Sequence, residues 1–410
     1  MTERTRGLLI LLSAAAIVGA YLGLRQKPKT TELPVLPSAS APSAPSVSPP
    51  RRVTVAEIDA TLKALGGAVR APAGDPASPW ALAHGMVAFG SDFSARDGRS
   101  ARDVIVGFAE PTTIGTDQLF LFPVTKAANP VEPHRFLLVK TLLETDVPME
   151  QRFVASSGDK LTLARLVADL RKAAKAPESD SDYQHVAWQI SALAEHVRRE
   201  PKALDTPPPL GPLLALGLAR LEADHKVVEE YSGPPEHAFD EGSPLHRAKR
   251  DKSGIYGHSC GGLHLVQAIA SAVKVAGTDD QKRRFRRQLG VLLYRYELER
   301  PAYASLLLRH PEQGLLIRLQ QQKFFGHLVE TLTLAKKLGL TEPETEGGKN
   351  VDRVIFFAAA DTVDVAKGLL DGGVYERLDA IRKDREQTYL DLVGDACHAL
   401  RGLTRARELL

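Results

Sequence analysis

The chain is poor in the residues that build stapled or cofactor-dense folds. Two cysteines among 410 residues exclude a disulfide framework and a four-cysteine zinc module. Two tryptophans and an aromatic share of 6% leave few rings for a cavity that must steady carbocations. Neither sign of charge prevails, with 53 Lys and Arg against 50 Asp and Glu, so the overall balance gives no case for nucleic acid as a partner. What is present, 43% hydrophobic and 25% charged residues, is the make-up of a globular body and not of a disordered chain or a polytopic membrane protein.

One apolar run stands out. Residues 7–24 are eighteen consecutive uncharged positions, flanked by Arg4 and Arg6 before and Arg25, Lys27 and Lys29 after. As a helix the run spans ~27 Å, close to the hydrocarbon core of a bilayer. Residues 1–27 therefore read as an inner-membrane anchor, with a cleavable signal peptide ending near Val18-Gly19-Ala20 as the alternative. The anchor is preferred because the run continues past Ala20 to Leu24. Residues 28–52 follow with seven prolines among small polar residues, the composition of an extended tether. Both readings put the body, residues 53–410, on the periplasmic side. There Cys260 and Cys397 could pair or stay reduced.

The body reads as all-α. Segment 160–175 sets Leu163, Leu166, Val167 and Leu170 on one stripe, and 183–199 does the same with Val186, Ile190, Leu193 and Val197. Further helices are expected over 54–65, 79–90, 132–145, 210–228, 261–276, 281–299, 313–338, 351–370 and 373–402, eleven or twelve in all. Strand signals are confined to Val104-Ile105-Val106 and Leu119-Phe120-Leu121-Phe122, enough for one hairpin. Segment 229–256 is polar, carries three prolines and reads as a loop or lid with His237 and His246 in solvent. A loose pattern recurs in which a small residue and a histidine lead into an apolar stretch: His84-Gly85, Gly262-Leu263-His264 and Gly326-His327. Helical hairpins closed into a ring would turn such histidines toward a shared cavity.

The ordered set Trp80-Ala-Leu-Ala-His84-Gly85, Glu132-Pro133-His134, Ser259-Cys260-Gly261-Gly262-Leu263-His264 and Gly326-His327-Leu-Val-Glu330 resembles a group of exported bacterial proteins. That group looks like the α/α-toroid superfamily of squalene cyclases and protein prenyltransferase β-subunits. The resemblance covers residues 79–340 and implies a toroid of helices around a central cavity, without implying a reaction. The chain lacks the Asp-rich protonating run of the cyclases and the Asp-x-Cys zinc motif of the prenyltransferases. Lanthionine cyclases share the toroid and bind zinc through Cys and Cys-His ligands; Cys260 with Cys397-His398 echoes that set in different flanking sequence.

Individual residues sharpen the expectation. Cys260 and His264 are four apart, with His258 just before them, and thiolate and imidazole are zinc ligands. A metal centre with zinc as cofactor, a disulfide to Cys397 and a packed thiol all remain open for Cys260. His327 and Glu330, three apart after Gly326, form either an acid–base pair at a helix start or a cap. His84 beside Trp80 and His134 beside Glu132 are read alike, with His327, Glu330, His84 and His134 as candidate catalytic residues and Trp80, His258 and His264 as candidate ligand-binding ones. Lys282-Arg283-Arg284-Phe285-Arg286-Arg287 is either a solvated face or a contact for anionic envelope lipid or glycan. The expected function is binding or scaffolding of an envelope component in a polar cavity, or alternatively an enzyme acting on an envelope glycan or lipid-linked substrate by His/Glu acid–base chemistry.

Overall fold

In a computed structural model the protein is described over residues 49–410, except 128, 178, 180, 181 and 342–345. The expected anchor and nearly all of the tether lie outside the described residues, among which no helix is long and apolar enough to cross a membrane. The described chain is mostly helical. Its fourteen α-helices are α1 (Val55–Ala73), α2 (Pro79–Phe89), α3 (Ala101–Val106), α4 (Leu137–Glu144), α5 (Leu163–Ala173), α6 (Tyr183–Arg199), α7 (Leu210–Glu229), α8 (Pro244–Arg250), α9 (Leu263–Ala276), α10 (Asp279–Arg309), α11 (Gly314–Lys337), α12 (Glu346–Asp371), α13 (Leu378–Asp384) and α14 (Glu386–Arg407). Three two-stranded antiparallel pairs complete it: β1 (Glu110–Ile114) with β2 (Asp117–Leu121), β3 (Thr125–Lys126) with β4 (Asn129–Pro130), and β5 (Arg152–Val154) with β6 (Lys160–Thr162).

Local chemistry sets the helix starts. Thr54 and Glu57 form a capping box on α1, as Thr278 and Gln281 do on α10, satisfying first-turn N–H groups that the helix itself leaves unpaired. Ser78, Thr162 and Ser243 cap α2, α5 and α8. Buried Leu163, Leu166, Val167 and Leu170 occupy the stripe expected of α5.

Several expectations are corrected. Val104, Ile105 and Val106 belong to α3, where all three are buried and tertiary packing outweighs their β propensity. The hairpin strand that pairs with 117–121 is 110–114 instead, turning at Gly115 with φ +61°. The long helix expected over 373–402 is broken at Arg385, whose non-helical backbone separates α13 from α14. Segment 229–256 contains α8, so it is part of the wall; His237 is exposed, but His246 is half-buried.

Six helices pack in a circuit: α2 on α4, α4 on α6, α6 on α9, α9 on α11, α11 on α14, and α14 back on α2. The tightest crossing is α11 with α14. A Cβ on Gly326 would come within 3.0 Å of Ala399 Cβ, and one on Gly402 within 2.9 Å of the Gly326 carbonyl oxygen. Only glycine permits that approach, and it brings the polar faces of the two helices together.

Glu132 secures the start of α4: its Oε1 accepts the Leu138 N–H at 2.9 Å. Burial pushes its carboxyl up to about 8, against the opposing backbone hydrogen bonds. The folded state thus holds a proton that the unfolded chain releases near pH 4.5, and stability falls as pH rises from there through about 8. Glu132→Gln is expected to flatten that decline, raising Tm at pH 8.5 more than at pH 4.5. Thermal melts at the two pH values check this, and equal shifts would contradict it.

Candidate functional site

The circuit's helices deliver polar side chains to one place. α2 brings Trp80 and His84, α6 brings Trp188, α9 brings His264 and Gln267, α11 brings His327 and Glu330, and α14 brings Asp395, His398 and Arg401. Ring centroids run in a near-continuous series: Trp80–His84 4.0 Å, His84–His398 5.3 Å, His398–His327 4.0 Å, His327–His264 4.7 Å and His264–Trp188 5.1 Å. Trp188 stacks on His134 at 4.1 Å, which extends the series to the loop before α4.

Glu330 is the acceptor at the hub. Its Oε2 takes hydrogen bonds from His398 Nδ1 at 2.8 Å and Gln267 Nε2 at 3.1 Å, while Arg401 Nε lies 3.5 Å from Oε1. Arg401 also reaches Glu144 Oε1 on α4 at 2.7 Å, and Lys140 closes on the same carboxylate. Burial alone would raise both carboxyls. His398 first, then His327 and Arg401, outweigh it at Glu330 and hold that carboxyl well below the usual range, while Arg401 and Lys140 hold Glu144 at about 2.

His327 is fully buried, with neither ring nitrogen in a hydrogen bond. Nδ1 stands 3.6 Å from Glu330 Oε2 and Nε2 3.4 Å from Asp395 Oδ1, and Asp395 Oδ2 is likewise unpartnered. Burial disfavours charge on His327, yet Cys260, Asp395 and Glu330 together raise its pKa well above that of an ordinary imidazole. Its neighbours respond inversely. Burial first, then the positive charge at His327, lowers His264 well below the ordinary value and His398 to about 4. His84 is lowered too, and its Nδ1 bonds the Trp80 carbonyl at 2.7 Å. One place for positive charge is thus surrounded by neutral imidazoles.

Cys260 reaches this cluster through an unusual turn. It adopts φ +50°, followed by Gly261 at +59° and Gly262 at +79°, immediately before α9. Left-handed backbone at a non-glycine residue stores strain. Space as well as φ requires the glycines, since a Cβ on Gly261 would meet Arg295 Nη2 at 2.7 Å and one on Gly262 would meet Ile255 Cδ1 at 2.2 Å. Arg295 fixes the turn by donating to the Gly261 carbonyl at 2.5 Å and pairing with Glu299. Ligand atoms of Cys260, His264 and His327 all lie within 4.8 Å of one another, and so do those of His327, Glu330 and His398. Both cysteines are free thiols, so the Cys260–Cys397 disulfide is not formed, and burial pushes the Cys397 thiol up.

The sequence-picked residues divide accordingly. His84, His264, His327, Glu330 and Cys260 are brought together. His134 joins at the edge, through Trp188 and Ser259; burial and then His185 lower it to about 4. His258 turns away to Asp224, with Nε2 2.6 Å from Oδ2. The helix-start argument fails for His327 and Glu330, which sit in mid-α11, and for His84 in mid-α2; only His264 is in a first turn. The basic run on α10 meets acids, with Arg284 on Glu222 at 2.6 Å and Arg287 near Glu229 at 3.6 Å. Asp395, Gln267, Arg401, Lys140 and Glu144 carry no signal of a site in the sequence: Lys140 and Glu144 are four apart on α4, a spacing common to exposed helical ion pairs, and the others come together only through the packing of separate helices.

A second overlooked signal is Gly257-His258-Ser259-Cys260-Gly261, which has G-x-S-x-G spacing. Its surroundings do not suit a serine nucleophile, since it follows a 3-10 turn instead of a strand. His134 Nε2 is 3.4 Å from Ser259 Oγ, but its Nδ1 has no partner to orient it. Compared with models of protein families, with curated proteins and with solved structures, the chain matches none.

Glu330→Leu is expected to cost roughly 3–5 kcal/mol in urea unfolding, since it strips His398 of its acceptor and leaves Arg401 with Glu144 alone and Gln267 with Thr331 alone. A loss under about 1 kcal/mol would show that the hub is not a stabilising network.

Proposed function

We propose that the chain is a membrane-tethered, periplasmic α/α-toroid domain whose polar centre holds a divalent metal through Cys260, His264 and His327. The closed circuit of six helices supports the toroid. The apolar run 7–24 and the proline-rich tether support the location. The observation that carries the metal is the convergence of one sulfur and two imidazole ligands within 4.8 Å, one of the rings having both nitrogens unpartnered in a buried setting. A soft and borderline donor set of this kind fits zinc.

The site fits a working centre better than a scaffold's binding groove. Cys260 lines a cavity of 530 Å³, so the metal position opens on a space large enough for a substrate. When bound, zinc supplies Lewis acidity. The chain's own groups do the rest. Glu330 is about 1% exposed and engaged by its neighbours, so it positions His398 and holds charge near His327. Asp395 lies against His327 to orient its ring or add a fourth donor. His84, with Trp80 against it, packs on His398. The substrate class is an envelope component, which both the tether and the cavity support.

One specific observation favours a second reading. His327 lies between Cys260 and Asp395 and prefers positive charge, the arrangement of a thiol nucleophile with its base and orienting acid. Two measurements separate them. The purified chain should carry one equivalent of zinc, reduced to traces in Cys260→Ser and His264→Ala and retained in His84→Ala. Iodoacetamide should label Cys260 slowly in the metal-loaded chain and quickly after chelation. Trace zinc throughout, with rapid labelling unaffected by chelator, would overturn the metal and favour the nucleophile.

A further inference from the structure

The cavity beside Cys260 has a wall chemistry that the metal does not explain. Lys249, Lys252, Arg295 and Lys323 line it, and no carboxylate does among the described residues. Two of these cations are balanced from behind: Arg295 by Glu299, and Lys323 by Asp391 at 3.0 Å and Asp395 at 3.8 Å. Lys249 is not. Its Nζ donates to the Tyr303 hydroxyl at 2.7 Å and lies over the rings of Phe239 at 4.5 Å and Tyr303 at 4.7 Å, with no carboxylate paired to it among the described residues. Burial first, and then Arg295 and Lys323, depress its amine to about 8 despite Glu299.

An ammonium left in such a place is costly unless a counter-charge arrives. Of its three donors, one is used by Tyr303. The rest of the lining mixes polar His258, Ser259, Cys260 and Gln320 with the rings of Tyr256, Tyr303 and Phe324, and a second cavity of 610 Å³ is lined by the same Lys249 and Tyr303. The space therefore exceeds what a bare inorganic anion fills.

We propose that this cavity binds a small organic oxyanion, its phosphate or carboxylate head held by Lys249 with Arg295 and Lys323 beside it, and its apolar body against Tyr256, Tyr303 and Phe324. This names the substrate class of the metal reading and rests on it only for what is presented to Cys260; the anion's seat is built from other residues. Lys249 belongs to α8, within the segment that the sequence leaves as a loop.

Calorimetric titration of the purified full chain with phenyl phosphate, benzoate and benzyl alcohol tests it, with and without chelator. Both anions should bind and the neutral alcohol should not; the stronger of the two identifies the head group. Lys249→Met should weaken anion binding by about tenfold or more. It should leave Tm unchanged or raised, since a half-buried ammonium without a paired carboxylate is removed. Lys252→Met, at the exposed rim, gives a smaller loss and serves if Lys249→Met does not fold. Cys260→Ser should keep anion binding while losing metal. Equal binding of the alcohol, unchanged affinity in both lysine variants, or anion binding that vanishes with chelator and in Cys260→Ser would overturn the proposal. The last outcome would leave the metal standing, whereas anion binding with no metal at all would remove the metal and leave the cavity.

Discussion

The close crossing of α11 and α14 is the constraint on which the rest depends. Gly326, Ala399 and Gly402 let the two backbones approach until side chains one turn away have no choice but to meet. His327 and Glu330 from one helix are then pressed against Asp395, His398 and Arg401 from the other, in a region closed to water. Burying so many ionisable groups is tolerated only where each finds a partner, and Glu330 supplies one to three neighbours: a counter-charge to Arg401 and a hydrogen-bond acceptor to His398 and Gln267. His327 is the exception, ringed by acceptors and a thiol without an aligned hydrogen bond.

That exception is the chemically informative feature. A cluster serving stability alone would satisfy its central imidazole, since an unpaired buried nitrogen carries a desolvation penalty. Here the strain of a left-handed Cys260 and the vacant bonding of His327 fall side by side, next to a cavity. Backbone strain gathered at a place where ligand atoms converge is the usual economy of functional sites, in which stability is given up for geometry.

Much of the architecture was legible in the sequence, and what was not has physical causes. The apolar stripes of 160–175 and 183–199 specified α5 and α6 because a 3.6-residue period leaves few alternatives. Val104-Ile105-Val106 misled, since a short fully buried helix and a strand share the same composition. The histidines were visible because small residues beside them marked close packing, as Gly326 does, but small residues were mistaken for helix starts. In α11 the glycine serves a helix crossing, so a helix start at His327 had no basis. Asp395, Arg401 and Glu144 were invisible for a different reason: a buried ion network is assembled from distant segments, and no local pattern announces it. Lys249 was hidden within a polar stretch in which Pro244, one of three prolines, marks the first turn of α8 instead of a loop.

X-ray absorption at the zinc edge of the metal-loaded chain tests the central claim most directly. One sulfur at ~2.3 Å with two imidazole nitrogens at ~2.0 Å is expected, the sulfur vanishing in Cys260→Ser. A shell of oxygen alone, or one unchanged by that substitution, would contradict a centre built on Cys260, His264 and His327.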